Sequence, residues 1–125
     1  MTKILVVEDD PVNAMVVGDF LAAHGYEISH AKTGAEGISK FGAEKPDLMI
    51  VDVMLPRKSG FEVCFEVKRT EHGRTMPLVF MSAVYREAAQ GSRYATEGLH
   101  ADSFLVKPFD LSTLLGTVRR LVGEA

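Results

Sequence analysis

The 125 residues, 46% hydrophobic and 25% charged, suit one compact domain over residues 1–125 with its own core and leave no room for a second. A formal net charge of −3 without a long basic run gives none of the electrostatic footprint of a nucleic-acid binder. No apolar stretch is long enough for a signal peptide or a membrane span, so the expectation is a cytoplasmic protein with no direct nucleic-acid and no membrane contact.

In chain order, Ile4-Leu5-Val6-Val7 is a buried-type apolar run that ends in Glu8-Asp9-Asp10. Asp10-Pro11 opens a helix, Asp as cap and Pro preset for the first turn, with Val16, Val17, Phe20 and Leu21 on its core face and Gly25 as its stop. Glu27–Ala31 reads as a short strand. Thr33-Gly34-Ala35-Glu36 has capping-box spacing for a second helix that buries Ile38 and Phe41. Leu48-Met49-Ile50-Val51 is an apolar run between Pro46-Asp47 and a Pro- and Gly-containing loop, and it ends in Asp52. Ser59-Gly60-Phe61-Glu62 repeats the capping box. The helix it opens is expected to carry Phe61, Cys64, Phe65 and Lys68 in register and to end near His72-Gly73; Cys64, the single cysteine, excludes an internal disulfide and reads as core filler.

Leu78–Met81 is a third buried run, ending at Ser82, and one helix is expected between Ala83 and Leu99. Ser103–Val106 is the last strand, followed by Lys107-Pro108-Phe109. Asp110 is placed to cap a final helix in which Leu111, Leu114, Leu115, Val118, Leu121 and Val122 follow helical spacing. Strands alternating with helices five times imply an α/β fold, a five-stranded parallel sheet with right-handed crossovers and helices on both faces. His24, His30, His72 and His100 have no metal-ligand spacing and read as surface or boundary residues, and Arg119-Arg120 as a solvated helix face.

Ligands of open α/β sheets gather at the carboxyl ends of the strands. That edge would bring together Glu8, Asp9, Asp52, Ser82 and Lys107. Each alone fits a solvated loop residue, but their placement at the exits of four apolar runs does not. Carboxylates at close quarters raise one another's pKa unless a cation lies among them, and an all-oxygen donor set suits Mg²⁺. A hydroxyl and a lysine are groups wanted around a phosphoryl oxygen, and a carboxylate can itself accept a phosphoryl group.

These motifs, Glu8-Asp9-Asp10 after the first strand, Asp52-Val-Met-Leu-Pro56 with Gly60, Ser82-Ala83 and Lys107-Pro108-Phe109, resemble the receiver domain of the two-component response-regulator family over essentially the whole chain. The resemblance implies a doubly wound, flavodoxin-like (βα)5 fold. It implies Asp52 as the site of phosphorylation, with Ser82 and Lys107 as its hydroxyl and lysine. Mg²⁺ would be held by Asp9, Asp52 and the Met54 carbonyl, with Glu8 acting through a metal-bound water. Phe104 matches an aromatic switch position, as phenylalanine where tyrosine is common. The implied partners are a histidine kinase or histidine phosphotransfer protein, a downstream protein target on the face of the helix expected in 83–99, the last strand and the last helix, and possible homodimerisation.

The interval from Ser82 to Lys107 is a few residues longer than the family pattern, so partner identity does not carry over. Met54 and Val84, two beyond Asp52 and Ser82, are apolar residues near the expected approach of a hydrolytic water. An aspartate-nucleophile phosphatase would want an acid where Met54 stands, and a flavodoxin-like phosphate loop would not carry Glu8-Asp9-Asp10. A receiver-like interaction module that is never phosphorylated is the remaining alternative.

Overall fold

A computed structural model of the chain describes residues 1–82 and 101–124. Its elements are β1 (Lys3–Val7), α1 (Pro11–Ala23), β2 (Glu27–Ala31), α2 (Gly34–Glu44), β3 (Leu48–Asp52), α3 (Gly60–Lys68), α4 (Glu71–Thr75), β4 (Leu78–Ser82), β5 (Ser103–Val106) and α5 (Leu111–Val122). The helix expected between Ala83 and Leu99, together with Val84 and His100, lies outside the described residues.

The five strands form one sheet in the order β2-β1-β3-β4-β5, every neighbouring pair parallel. This is the doubly wound, flavodoxin-like order, with its topological switch between β1 and β3. Strand alternation divides the core in two. Leu5, Val7, Met49, Val51 and Phe80 face Phe41 of α2 and Val63, Cys64 and Val67 of α3, whereas Ile4, Val6, Ile50, Val79 and Met81 face Val17 and Leu21 of α1 and Leu114, Leu115 and Val118 of α5. Because both faces are covered, β3 and β4 are buried along their whole length, which is why they read as continuous apolar runs.

The caps follow the expected chemistry with two adjustments. Asp10 accepts from the Val12 N–H, Thr33 from the Glu36 N–H at 3.0 Å and Ser59 from the Glu62 N–H at 3.2 Å. Glu36 closes its box one residue early, accepting from the Lys32 N–H at 2.6 Å. Asp110 occupies the cap position of α5, but its side chain makes no capping hydrogen bond.

Two helices are phased differently from the sequence expectation. The buried stripe of α1 is Ala14, Val17, Gly18 and Leu21, leaving Val16 44% exposed. In α3 the buried residues are Gly60, Val63, Cys64 and Val67, while Phe65 is 54% exposed with the Arg69 guanidinium 5.5 Å from its ring centre. The chain also does not continue as one helix to His72-Gly73: α3 stops at Lys68, and Thr70 caps the short α4 by accepting from the Gly73 N–H at 2.9 Å.

This phasing predicts that Phe65→Ala changes stability by no more than about 1 kcal/mol, the scale of an exposed cation–π contact, whereas Val63→Ala costs about 2 kcal/mol through lost burial and a cavity. Urea unfolding of both variants checks it. A larger loss for Phe65→Ala would restore the sequence-based face.

Candidate functional site

The sheet brings the predicted residues to one edge. Glu8 follows β1, Asp52 ends β3, Ser82 ends β4 and Lys107 follows β5, and parallel registers put all four exits on the same side. Glu8, Asp52 and Ser82 are buried, Glu8 to 1% exposure, while Asp9 is exposed. The Lys107 N–H donates to the Ser82 carbonyl at 2.6 Å, which fixes the chain as it leaves β5.

The Lys107 ammonium bridges the two buried carboxylates, 2.7 Å from Glu8 Oε1 and 2.8 Å from Asp52 Oδ2. Asp52 Oδ1 accepts from the Met54 N–H at 2.8 Å. One carboxylate oxygen each from Glu8, Asp9 and Asp52 lies within 4.8 Å of the others. Glu8 Oε2 is buried without a hydrogen-bond partner among the described residues.

The electrostatics follow from this geometry. Burial, and then the neighbouring Asp52 carboxylate, push Glu8 up to about 7 despite Lys107. Burial alone would raise Asp52 as well, but its contacts with Glu8, Lys107 and the Met54 N–H outweigh it and hold the carboxyl below its ordinary value. Burial would lower Lys107, and the two carboxylates overcome it, so the ammonium is held above its ordinary value. Asp52 is thus the ionised partner of the pair and Glu8 the one that takes a proton.

Gly60 sets the floor of the site. A Cβ there would fall 2.3 Å from the Asp52 carbonyl oxygen, and the Gly60 N–H donates to the Val53 carbonyl at 3.0 Å. Glycine therefore lets α3 start directly against the loop that carries Asp52. Met54 is 61% exposed beside the site. Phe104, in register with Phe80, is half-buried with its ring centre 6.2 Å from that of Phe80. Asp10 is kept out of the acidic group by its capping bond.

His30 is the residue that sequence reading undervalued. It is half-buried, and its Nε2 lies 2.8 Å from the Glu8 carbonyl oxygen. Its position in β2, opposite Val6 and two residues before the Glu8 level, was the available signal. Cys64 is buried on α3 with its thiol pushed up to about 11 by burial, in keeping with core filler.

The shift of Glu8 has a definite sign in metal-free protein. Its contribution to stability is fully present below the unfolded value near 4.5 and is lost as pH rises through about 7. Thermal unfolding in chelator should therefore show wild type losing stability relative to Glu8→Gln across that interval, and Mg²⁺ should narrow the difference near neutrality. Parallel pH profiles of the two proteins would contradict the buried, proton-binding Glu8.

The response regulator receiver domain model matches residues 4–119. The chain is 33% identical over 124 residues to the DNA-binding dual master transcriptional regulator RpaA of Synechocystis, covering 98% of this chain and 49% of that protein. It spans about half the length of the curated relatives it matches. Among solved structures, the chemotaxis protein CheY4 of Vibrio cholerae superposes with a TM-score of 0.87 at 30% identity, covering 98% of this chain and 99% of that one. TrrA of Thermotoga maritima, solved in complex with Mg(2+)-BeF, gives a TM-score of 0.85 at 31% identity, covering 98% and 100%. With its sheet order, its acidic edge and these matches together, the chain belongs to the response regulator receiver domain family.

Proposed function

We propose that this receiver domain, as one domain over residues 1–125, accepts a phosphoryl group on Asp52 in a Mg²⁺-dependent reaction. The donor is a phosphohistidine of a histidine kinase or histidine phosphotransfer protein, and the acquired group alters the surface offered to a downstream protein target. The observation that carries this reading is the Lys107 ammonium set between Glu8 and Asp52 at the carboxyl edge of the sheet. A cytoplasmic location fits it, and among the described residues no helix is long and apolar enough to cross a membrane.

In the transfer an Asp52 carboxylate oxygen bonds to phosphorus as the donor's N–P bond breaks, and the electron pair leaves with the imidazole. Asp52 needs no proton removed, because its lowered pKa keeps it ionised. Lys107 already touches Asp52 Oδ2 and offsets charge on the incoming phosphoryl oxygens. Ser82, buried at the end of β4, is the hydroxyl proposed to meet that group afterwards, with Phe104 responding through the same sheet edge.

The residues present fit a hard divalent cation. Oxygens of Glu8, Asp9 and Asp52 converge within 4.8 Å, and the buried Glu8 Oε2 has no hydrogen-bond partner among the described residues. Asp9, Asp52 and the Met54 carbonyl would hold Mg²⁺, with Glu8 acting through a metal-bound water. When bound, Mg²⁺ supplies positive charge beside the phosphoryl oxygens. That the Thermotoga maritima neighbour was solved in complex with Mg(2+)-BeF supports a Mg²⁺ site in this chain.

Intact mass after incubation with a small phosphodonor and Mg²⁺ should show one added phosphoryl group in wild type and none in Asp52→Ala. Labelling that survives the substitution would move the acceptor elsewhere, and failure of wild type to label would favour an unphosphorylated interaction module. The exposed Met54 offers no group to orient a hydrolytic water. Met54→Asn should shorten the phosphorylated lifetime about two- to ten-fold, a barrier change of up to roughly 1.4 kcal/mol, as read from decay after donor removal.

A further inference from the structure

We propose that His30 is a positioning residue for the cation site, holding the Glu8–Asp9 peptide and through it the Asp9 carboxylate. The inference rests on the reading of Glu8, Asp9 and Asp52 as that site. Both main-chain polar groups of Glu8 are tied to β2: its N–H donates to the Ala31 carbonyl at 3.0 Å, and its carbonyl accepts from His30 Nε2–H at 2.8 Å. A carbonyl can only accept, so Nε2 carries the proton in this contact.

The side chain stands where a backbone bond would be expected. The β1–β2 pairing ends at Val7 and Ala31, and Thr33, whose amide would be next in register for the Glu8 carbonyl, has left the strand to cap α2. The ladder therefore stops at the level of Glu8, where the chain must turn toward α1 and present its acids. His30 is held in its turn: Lys40 Nζ from α2 donates to the His30 carbonyl at 2.5 Å.

The Glu8 carbonyl and the Asp9 N–H belong to one planar peptide unit, so the imidazole contact fixes the rotation of that plane and the direction in which Asp9 leaves it. Asp9 is exposed, with little packing to orient it, and its placement comes from its backbone. Losing the contact would release Asp9 while leaving the Lys107 bridge to Glu8 and Asp52 in place. Residues behind metal ligands commonly act this way, by orienting the ligand instead of touching the ion.

The test is a Mg²⁺ titration of the whole chain, wild type against His30→Ala, His30→Phe and His30→Gln, followed by the backbone amide signals of Asp9, Asp10 and Met54. Thermal unfolding of each protein without metal is measured alongside. His30→Ala and His30→Phe should raise the Mg²⁺ Kd roughly three- to ten-fold, the loss of one hydrogen bond's net contribution. His30→Gln, which keeps an N–H donor at similar reach, should stay within about two-fold of wild type. A Kd that follows metal-free stability irrespective of the donor, or that is the same in all four proteins, would overturn the positioning role while leaving the cation site intact. No Mg²⁺ binding by wild type would instead overturn the cation site and this inference with it.

Discussion

Two carboxylates buried beside one ammonium set the conditions for everything else at this edge of the sheet. At an effective dielectric of about 20, like charges about 4 Å apart repel by roughly 4 kcal/mol, so Glu8 and Asp52 would not both be ionised and buried without Lys107 between them. One ammonium against two buried carboxylates and the exposed Asp9 still leaves the site acidic. Glu8 answers by favouring its protonated form, and a divalent cation would answer the same demand without a proton. The upward shift of Glu8 and the proposed binding of a metal are thus two answers to a single excess of negative charge.

The fold makes this crowding possible because four strands deliver their exits to one side. β1 and β3 lie next to each other at the topological switch, which sets Glu8 beside Asp52; β4 and β5 then bring Ser82 and Lys107 in from the other flank. The rigid part of the site is therefore made of strand ends in a sheet whose central strands β3 and β4 are buried along their whole length. Its adjustable part is made of turns: the β1–α1 turn, pinned from β2, and the β3–α3 loop, which Gly60 lets lie flat against the start of α3.

Strands β1, β3 and β4 were legible in the sequence because a parallel strand covered on both faces is a continuous apolar run, and each ran into a polar residue where it left the core. The five-stranded parallel sheet followed from the alternation of strands with helices, and its flavodoxin-like winding from the resemblance to the receiver family. Helix phase was less legible where apolar residues stand on more than one face. Helix α1 carries Val12, Met15 and Val16 outside its buried stripe, and α3 offers Phe61 and Phe65 as well as Val63 and Val67 at the same spacing. In α3 the choice is set by tertiary contact, since Gly60 has to face the Asp52 backbone. The break after Lys68 had a local signal, Thr70 before Glu71, whose hydroxyl both caps α4 and donates to the Val67 carbonyl at 2.7 Å. The site residues were legible as strand exits, but Lys107 bridging two carboxylates and His30 reaching the Glu8 carbonyl are long-range contacts that no spacing rule reveals.

The bridge itself is tested most directly by a ¹³C NMR titration of the side-chain carboxyls of Glu8 and Asp52 in metal-free protein, repeated in Lys107→Met. Wild type should show Glu8 titrating near 7 and Asp52 below its ordinary value, with each resonance sensing the other's proton. In Lys107→Met the Asp52 carboxyl should titrate at higher pH, because burial is no longer opposed by the ammonium. Two independent titrations at ordinary carboxylate values, unchanged by Lys107→Met, would contradict the account.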